Sequence, residues 1–209
     1  MIRKPMVAVC AVLFAACLLC MPVRSDFIAL ESTLGAVSFP GVSSTQGWSF
    51  AVGPAAITVT ELLVWDQFGN GLVAAHDTAI WTAGGALVVQ GTVPAGSGPS
   101  VTDGYGAVWR SVDVPDTLLT PGNYVIGSLY GPSDDRDFFF GTATTGPNIT
   151  HIQGLYTTGL ALTLPSSPFG MNDSSFGPNF MAVVPEPGSV ALMAIGAAGL
   201  ALYRRKRKM

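Results

Sequence analysis

The chain has 209 residues, a formal net charge of −3 and only 11% charged residues, with 25 glycines. Its cations sit mainly at the two ends, so residues 26–184 hold two Arg, no Lys and twelve Asp or Glu, a net charge of −10. An acidic segment without Lys repels phosphate backbones, which excludes a nucleic-acid partner.

Residues 1–25 have the pattern of a secretory signal peptide. Two cations, Arg3 and Lys4, precede an almost wholly apolar run at 6–21. A small residue at position −1 predicts cleavage before Asp26 by signal peptidase, after export through the Sec machinery. A retained membrane anchor is the alternative, although the apolar run is short for a membrane span.

All three cysteines lie in this N-terminal segment, at Cys10, Cys17 and Cys20. Once the segment is removed, a disulfide framework, a cysteine zinc site and a cysteine nucleophile are all excluded. A lipoprotein with the lipid on Cys17 or Cys20 is a further alternative, but Phe14 three residues before Cys17 fits that motif poorly.

Residues 26–184 alternate between strand and turn patterns, and no convincing amphipathic helix interrupts them. We therefore predict an all-β fold: one antiparallel β-sandwich or jelly-roll-like exported domain of eight to ten strands. Trp65 and Trp81 lie in apolar strands and are predicted to be core residues. The predicted strands cover residues 57–65, 78–82, 86–93, 107–114, 124–130, 137–140, 160–164 and 180–184.

One stretch of this domain resembles the DUF4082-like β-sandwiches of exported bacterial proteins. The resemblance implies a fold and an exported context, and it implies no activity. The residues that carry it are 57–66, 71–72, His76, 80–81, 85–87, 92–96 and 119–127.

Candidate catalytic groups are few. The two histidines, His76 and His151, are each more simply hydrogen-bonding residues, and the Gly-x-Ser-x-Gly pattern of a nucleophile elbow is absent. We therefore expect no catalytic residues and no enzymatic activity, and the acids are more simply a solvating surface. Two pairs of acids are candidates for glycoside hydrolysis, although no spacing singles them out: Glu31 with Glu61, and Asp66 with Asp103.

Two features suggest a ligand. Asp134, Asp135 and Asp137 form an oxygen-rich loop that could hold Ca²⁺, although Arg136 also fits a solvated turn. Apart from this calcium, no cofactor is expected.

The aromatic residues Tyr105 and Trp109 flank a Gly-rich loop, where exposed rings would stack on a glycan. The alternative is that both rings belong to the core. We keep these two residues as the candidate glycan contacts.

The C-terminus has three consecutive parts. Pro185-Glu186-Pro187 stiffens the junction after the last strand. The uncharged stretch 189–203 would form a helix about 22 Å long, short for a bilayer but usable with thinning. The basic cluster then stays on the cytoplasmic side: Arg204, Arg205, Lys206, Arg207 and Lys208.

This tail, residues 185–209, resembles the PEP-CTERM sorting signal. The resemblance implies an exosortase partner, cleavage near the motif and release or transfer to the cell surface. It also implies an association with exopolysaccharide, biofilm or floc matrix. A plain single-pass membrane anchor is the alternative.

The sequence thus predicts an exported protein, held in the inner membrane by its C-terminal helix before processing and then moved to the surface or extracellular matrix. Its expected role is non-enzymatic and associated with exopolysaccharide. The alternative is a carbohydrate-binding or calcium-dependent adhesive module.

Overall fold

The computed structural model describes residues 25–37, 42–132, 138–169 and 177–184. The predicted signal segment through Arg24, the calcium loop at 134–137 and the tail from Pro185 lie outside these described residues. The part of the chain that is described lies within one compact unit, Ser25–Val184.

Thirteen strands account for the regular structure of the described residues. The first seven are β1 (Ser25–Ile28), β2 (Leu30–Val37), β3 (Ser44–Val52), β4 (Ile57–Asp66), β5 (His76–Thr82), β6 (Leu87–Val93) and β7 (Ser100–Thr102). The other six are β8 (Val108–Leu119), β9 (Gly122–Tyr130), β10 (Phe138–Thr145), β11 (Ile149–Thr158), β12 (Ser167–Pro168) and β13 (Pro178–Val184).

The strands form two large antiparallel sheets and a ribbon. The five-stranded sheet has the order β1-β13-β4-β8-β7, the six-stranded sheet has the order β12-β11-β3-β9-β5-β6, and β2 pairs with β10. This arrangement confirms the predicted all-β antiparallel sandwich. No helix among the described residues has the length and apolar character to cross a membrane.

Aromatic rings fill the space between the two large sheets. Trp48 and Phe50 of β3 meet Phe180 of β13, with ring centroids 6.2 and 5.2 Å from that of Phe180. The Trp48 indole N–H donates a 2.8 Å hydrogen bond to the Pro178 carbonyl oxygen. All three rings are fully buried, so they join the sheets through apolar packing and one polar contact.

A bulge in β4 redirects its side chains. The register with β8 and β13 shifts between Val59 and Glu61. An extra residue reverses the inward and outward alternation of the side chains. Val59 faces the core before the bulge, and Leu62 faces it after the bulge, where it pairs with the core residue Phe180. Trp65 consequently points to the opposite side of the five-stranded sheet.

That opposite side is covered by the start of β2. Asn179, beside Leu63 in the ladder, accepts a hydrogen bond from the Leu30 N–H at 3.1 Å and donates one to the Leu30 carbonyl at 2.7 Å. Both residues are fully buried. The five-stranded sheet is therefore buried on both faces over part of its width, which explains why the second half of β4 is buried at successive positions.

Most of the predicted strands are confirmed, including the one that forms β4 and the hairpin at 84–85 between β5 and β6. The strand predicted at 160–164 is wrong. This segment crosses the outer face of the six-stranded sheet, where the Thr163 N–H donates to the Thr45 hydroxyl at 3.1 Å. Leu162 and Leu164 are half-buried there, whereas Leu160 is 88% exposed, so the segment lies on a sheet instead of joining one.

Trp65 and Trp81 are buried, as the sequence predicts. Trp81 does not lie between the sheets, however. Its neighbour Ile80 belongs to the inter-sheet cluster, and successive residues of a strand point to opposite faces. Trp81 thus lies on the outer face of the six-stranded sheet.

Candidate functional site

Asp66 and Arg110 form a buried ion pair near one end of the sandwich. Their side chains are 2% and 8% exposed, and one Asp66 oxygen, Oδ2, receives both the Arg110 Nε–H at 2.8 Å and Nη2 at 2.7 Å. Arg110 also donates to the carbonyl oxygens of Gly98 and Gly69, each at 3.0 Å. Asp66 Oδ2 accepts the Gly71 N–H at 2.8 Å.

This ion pair holds two loops together. One loop, residues 67–75, joins β4 to β5, and the other, 94–99, joins β6 to β7. Leu72 and Gly96 exchange two backbone hydrogen bonds between them, at 3.2 and 2.8 Å. Sequence reasoning missed the pair, although an Arg between Val108 and Val112 on the apolar face of β8 is a signal that an acid must accompany it.

Asp103 is a second buried carboxylate, and neutral N–H groups satisfy it. Oδ1 accepts the backbone N–H of Tyr105 at 3.0 Å and that of Ala107 at 2.9 Å. Oδ2 accepts the Trp109 indole N–H at 3.3 Å and the Ser32 backbone N–H at 3.4 Å. The carboxylate therefore fixes the loop 103–107 against β2 and β8.

Asp66 and Asp103 lie on opposite sides of the five-stranded sheet. Their partners Arg110 and Trp109 are consecutive residues of β8, and consecutive side chains project to opposite faces. A single substrate cannot meet both carboxylates at once. The idea of an acid pair made of Asp66 and Asp103 is therefore wrong.

The other acid pair lines two neighbouring clefts. Glu31 lines a shallow cleft of about 420 Å³ together with Asp26 and Thr102. Glu61 lines a neighbouring cleft of about 460 Å³ with Asp113, and Val101 lines both clefts. Two carboxylates that flank one glycosidic bond must face the same site, so the pair of Glu31 and Glu61 stays a prediction.

The two candidate glycan contacts have different positions. Tyr105 is 52% exposed at the tip of the loop that Asp103 fixes. Trp109 is fully buried, and its indole N–H is engaged by Asp103. An exposed Trp109 is therefore the wrong expectation, because the ring packs beneath β2 and presents no face to a sugar.

The histidines take part in packing. The His76 ring is fully buried, with Nδ1 2.9 Å from the Leu129 carbonyl oxygen and its centroid 4.7 Å from that of Tyr130. His151 lies beside Trp48, with 5.9 Å between ring centroids. Among the described residues, no three His, Cys, Asp or Glu side chains come together as a metal site would require.

The last strand leads directly into the tail. Val183 and Val184 complete β13 between β1 and the start of β4, and Pro185 follows. Residues 183–208 match the PEP-CTERM protein-sorting motif. The resemblance seen at the C-terminus is confirmed.

The PEP-CTERM motif supports an exported protein that an exosortase sorts. The motif overlaps the fold by two residues, because its match begins at Val183 inside β13. No curated protein and no solved structure matches the chain. The DUF4082-like resemblance of the exported domain accordingly stays a prediction.

Proposed function

We propose that the protein is a non-enzymatic component of the bacterial surface or extracellular matrix, associated with exopolysaccharide after exosortase sorting. The observation that carries this proposal is the PEP-CTERM motif joined without a linker to an all-β domain. The sorting step then delivers a folded domain to the cell surface.

The charge distribution supports a hydrated matrix role. Residues 26–184 carry twelve acids and no Lys. Arg110 is buried in its ion pair, so its charge is not presented at the surface. An acidic surface of this kind stays solvated and repels anionic polymers. We therefore propose an exopolysaccharide partner that is not anionic.

The use of the buried polar groups supports a structural role. The carboxylates of Asp66 and Asp103 and the imidazole of His76 all have hydrogen-bond partners that join strands or loops. These contacts account for each group by a structural role in the fold, without invoking catalysis.

The proposal is tested in the native host. A strain lacking the chain should form weaker floc or biofilm, and the full chain should restore the wild-type matrix. A chain that ends at Val184 is the matched control, because it keeps the domain and lacks the sorting tail. Equal matrix formation with and without the full chain would refute the proposal.

Processing is measured on the same strains. Intact-mass measurement of surface-extracted protein should give a species that begins at Asp26 and lacks the basic cluster at 204–208. Recovery of the intact tail in a host with an active exosortase would favour a permanent membrane anchor instead.

A second candidate function is a carbohydrate-binding or calcium-dependent adhesive module. The half-exposed Tyr105 ring on a fixed loop favours it, because a positioned aromatic ring can stack on a sugar. A glycan array on the purified mature protein, with Ca²⁺ and with chelator, tests both ideas.

The array includes two variants. Binding that Tyr105→Ala removes, and that Phe68→Ala at another exposed loop position retains, would establish the glycan module. Binding lost only with chelator would point to the acids Asp134, Asp135 and Asp137, which lie outside the described residues. An array without binding in either condition would reject this second function.

A further inference from the structure

The two ends of the exported domain are partners in one sheet. β1 runs antiparallel to β13, and the register pairs Ser25 with Val184 and Asp26 with Val183. The residue predicted to precede the signal-peptidase cut thus lies beside the last residue before the Pro-Glu-Pro sequence. Two processing sites that are far apart in the chain are adjacent in the fold.

The hydrogen-bond phase of this ladder follows from one measured contact. The Ala29 N–H donates to the Phe180 carbonyl at 2.9 Å. Antiparallel ladders alternate between pairs that exchange hydrogen bonds and pairs that do not. Every second pair counted back from Ala29 is hydrogen-bonded, so Ser25 and Val184 exchange hydrogen bonds. Asp26 falls between two bonded pairs, and its N–H therefore points away from β13.

Val184 depends on β1 for its place in the sheet. On its other side, the pairing of β13 with β4 extends only to Val183, which lies opposite Thr58. Within the described residues, Ser25 is therefore the ladder partner of Val184. Pro185 comes next, and because its nitrogen carries no hydrogen it cannot donate a further ladder bond.

We infer that removal of the signal peptide releases Val184 and thereby prepares the sorting tail for the exosortase. Hydrolysis of the Ser25–Asp26 bond adds water, leaving a carboxylate on Ser25 and an ammonium on Asp26. Ser25 departs with the signal peptide and takes both hydrogen bonds to Val184 with it. The chain just before Pro185 is then free to enter a protease site in extended form.

This inference rests on the proposed processing of both ends, and it gives that processing an order. Signal-peptide cleavage comes first and accelerates tail cleavage. Val183 remains paired with β4, so the released stretch is short and the domain stays folded.

The test uses the full chain with Asp26→Pro, which puts a proline nitrogen in the bond that signal peptidase cuts. The Asp26 N–H points away from β13, so this variant removes no ladder bond, and proline is tolerated on an edge strand. In a pulse-chase experiment we expect tail cleavage to slow several-fold relative to wild type.

A second variant separates the strand contact from the effect of a retained membrane segment. The double variant with Ser25→Pro and Asp26→Pro also keeps the signal peptide, but it lacks the Ser25 N–H that donates to the Val184 carbonyl oxygen. We expect this double variant to recover at least half of the wild-type cleavage rate. Tail cleavage that is equally slow in both variants, or equally fast in all three proteins, would overturn the inference.

Hydrogen exchange gives an independent readout. The Val184 amide should be protected in the Asp26→Pro precursor and exchange at least tenfold faster in the mature chain. Equal exchange would overturn the inference, as would a mature chain that retains Ser25. Neither result bears on the matrix role, which the deletion strain tests separately.

Discussion

Two buried carboxylates in this domain are stabilised in different ways. Asp66 has a guanidinium partner whose other N–H groups reach two loops. Asp103 accepts neutral N–H groups, two from its own loop, one from the Trp109 indole and one from Ser32 of β2. The Asp66–Arg110 contact joins residues that are 44 apart, and Asp103 both closes the turn at 103–107 and holds Ser32, 71 residues away. The same side chain thus compensates a buried cation in one place and fixes neutral N–H groups in the other.

This difference predicts how a substitution at each site should affect unfolding. Loss of the cation from the Asp66 pair leaves a charge between two sheets, where solvent cannot easily reach it. Loss of Asp103 leaves neutral N–H donors, and water can reach those beside the exposed Tyr105. The first change should therefore cost more unfolding free energy than the second, whose effect should be strongest near residues 103–109.

The largest effect is expected for Arg110→Met. Breaking a buried pair by removing one partner costs about 3–5 kcal/mol, because the remaining charge is uncompensated. Urea unfolding of the mature protein measures this free energy. Asp66→Asn with Arg110→Met is the matched control, since it removes the charge and should recover at least half of the loss. A single variant as stable as wild type would contradict this account.

Asp103→Ala should come next. It removes the acceptor of the Tyr105, Ala107 and Trp109 N–H groups, and we expect a loss of about 2–3 kcal/mol in unfolding free energy. The Tyr105 and Ala107 amides should also exchange faster while those of β3 keep their protection. Uniform loss of protection would show that the contact of Asp103 with Ser32 in β2 outweighs its contacts within the loop.

A smaller effect is expected for Trp109→Phe. The phenyl ring keeps most of the apolar packing but cannot donate to Asp103, so the loss should be about 1–2 kcal/mol. A double-mutant cycle with Asp103→Asn isolates the shared contact and should give a coupling of about 0.5–1.5 kcal/mol. A coupling of zero would mean that the indole N–H contributes nothing through Asp103.

The smallest effect is expected for Tyr105→Ala. The ring is half-exposed, so its loss should change the unfolding free energy by no more than about 0.5 kcal/mol. The same urea measurement applies, with Phe68→Ala as a comparison at an exposed loop position. A loss above 1 kcal/mol would make Tyr105 a packing residue and weaken its case as a glycan contact.

The sequence predicted the strands in which apolar and polar residues alternate or which are apolar throughout, such as β4 and β5. It did not predict β3, because both faces of this strand are buried and its polar residues show no alternation. Gly47 illustrates the reason: a Cβ there would lie 1.9 Å from the Ile126 carbonyl oxygen, so close backbone packing, and not a hydrophobic pattern, determines the residue.

The candidate site was predicted less completely than the fold. The sorting motif is a contiguous pattern and could be read directly. The pairing of Asp66 with Arg110 depends on the register between β4 and β8, and that register contains a bulge near Glu61 that no local pattern reveals. The same holds for Trp109, whose burial depends on β2, a strand far away in the sequence.

The position of Arg110 also has a consequence for proteolysis. Enzymes that cut after Lys or Arg need an exposed, extended segment, and Arg110 lies in β8 between β4 and β7. Between residues 26 and 184 the sequence offers such enzymes one other site, Arg136. The folded domain should therefore resist cleavage by trypsin-like proteases at Arg110.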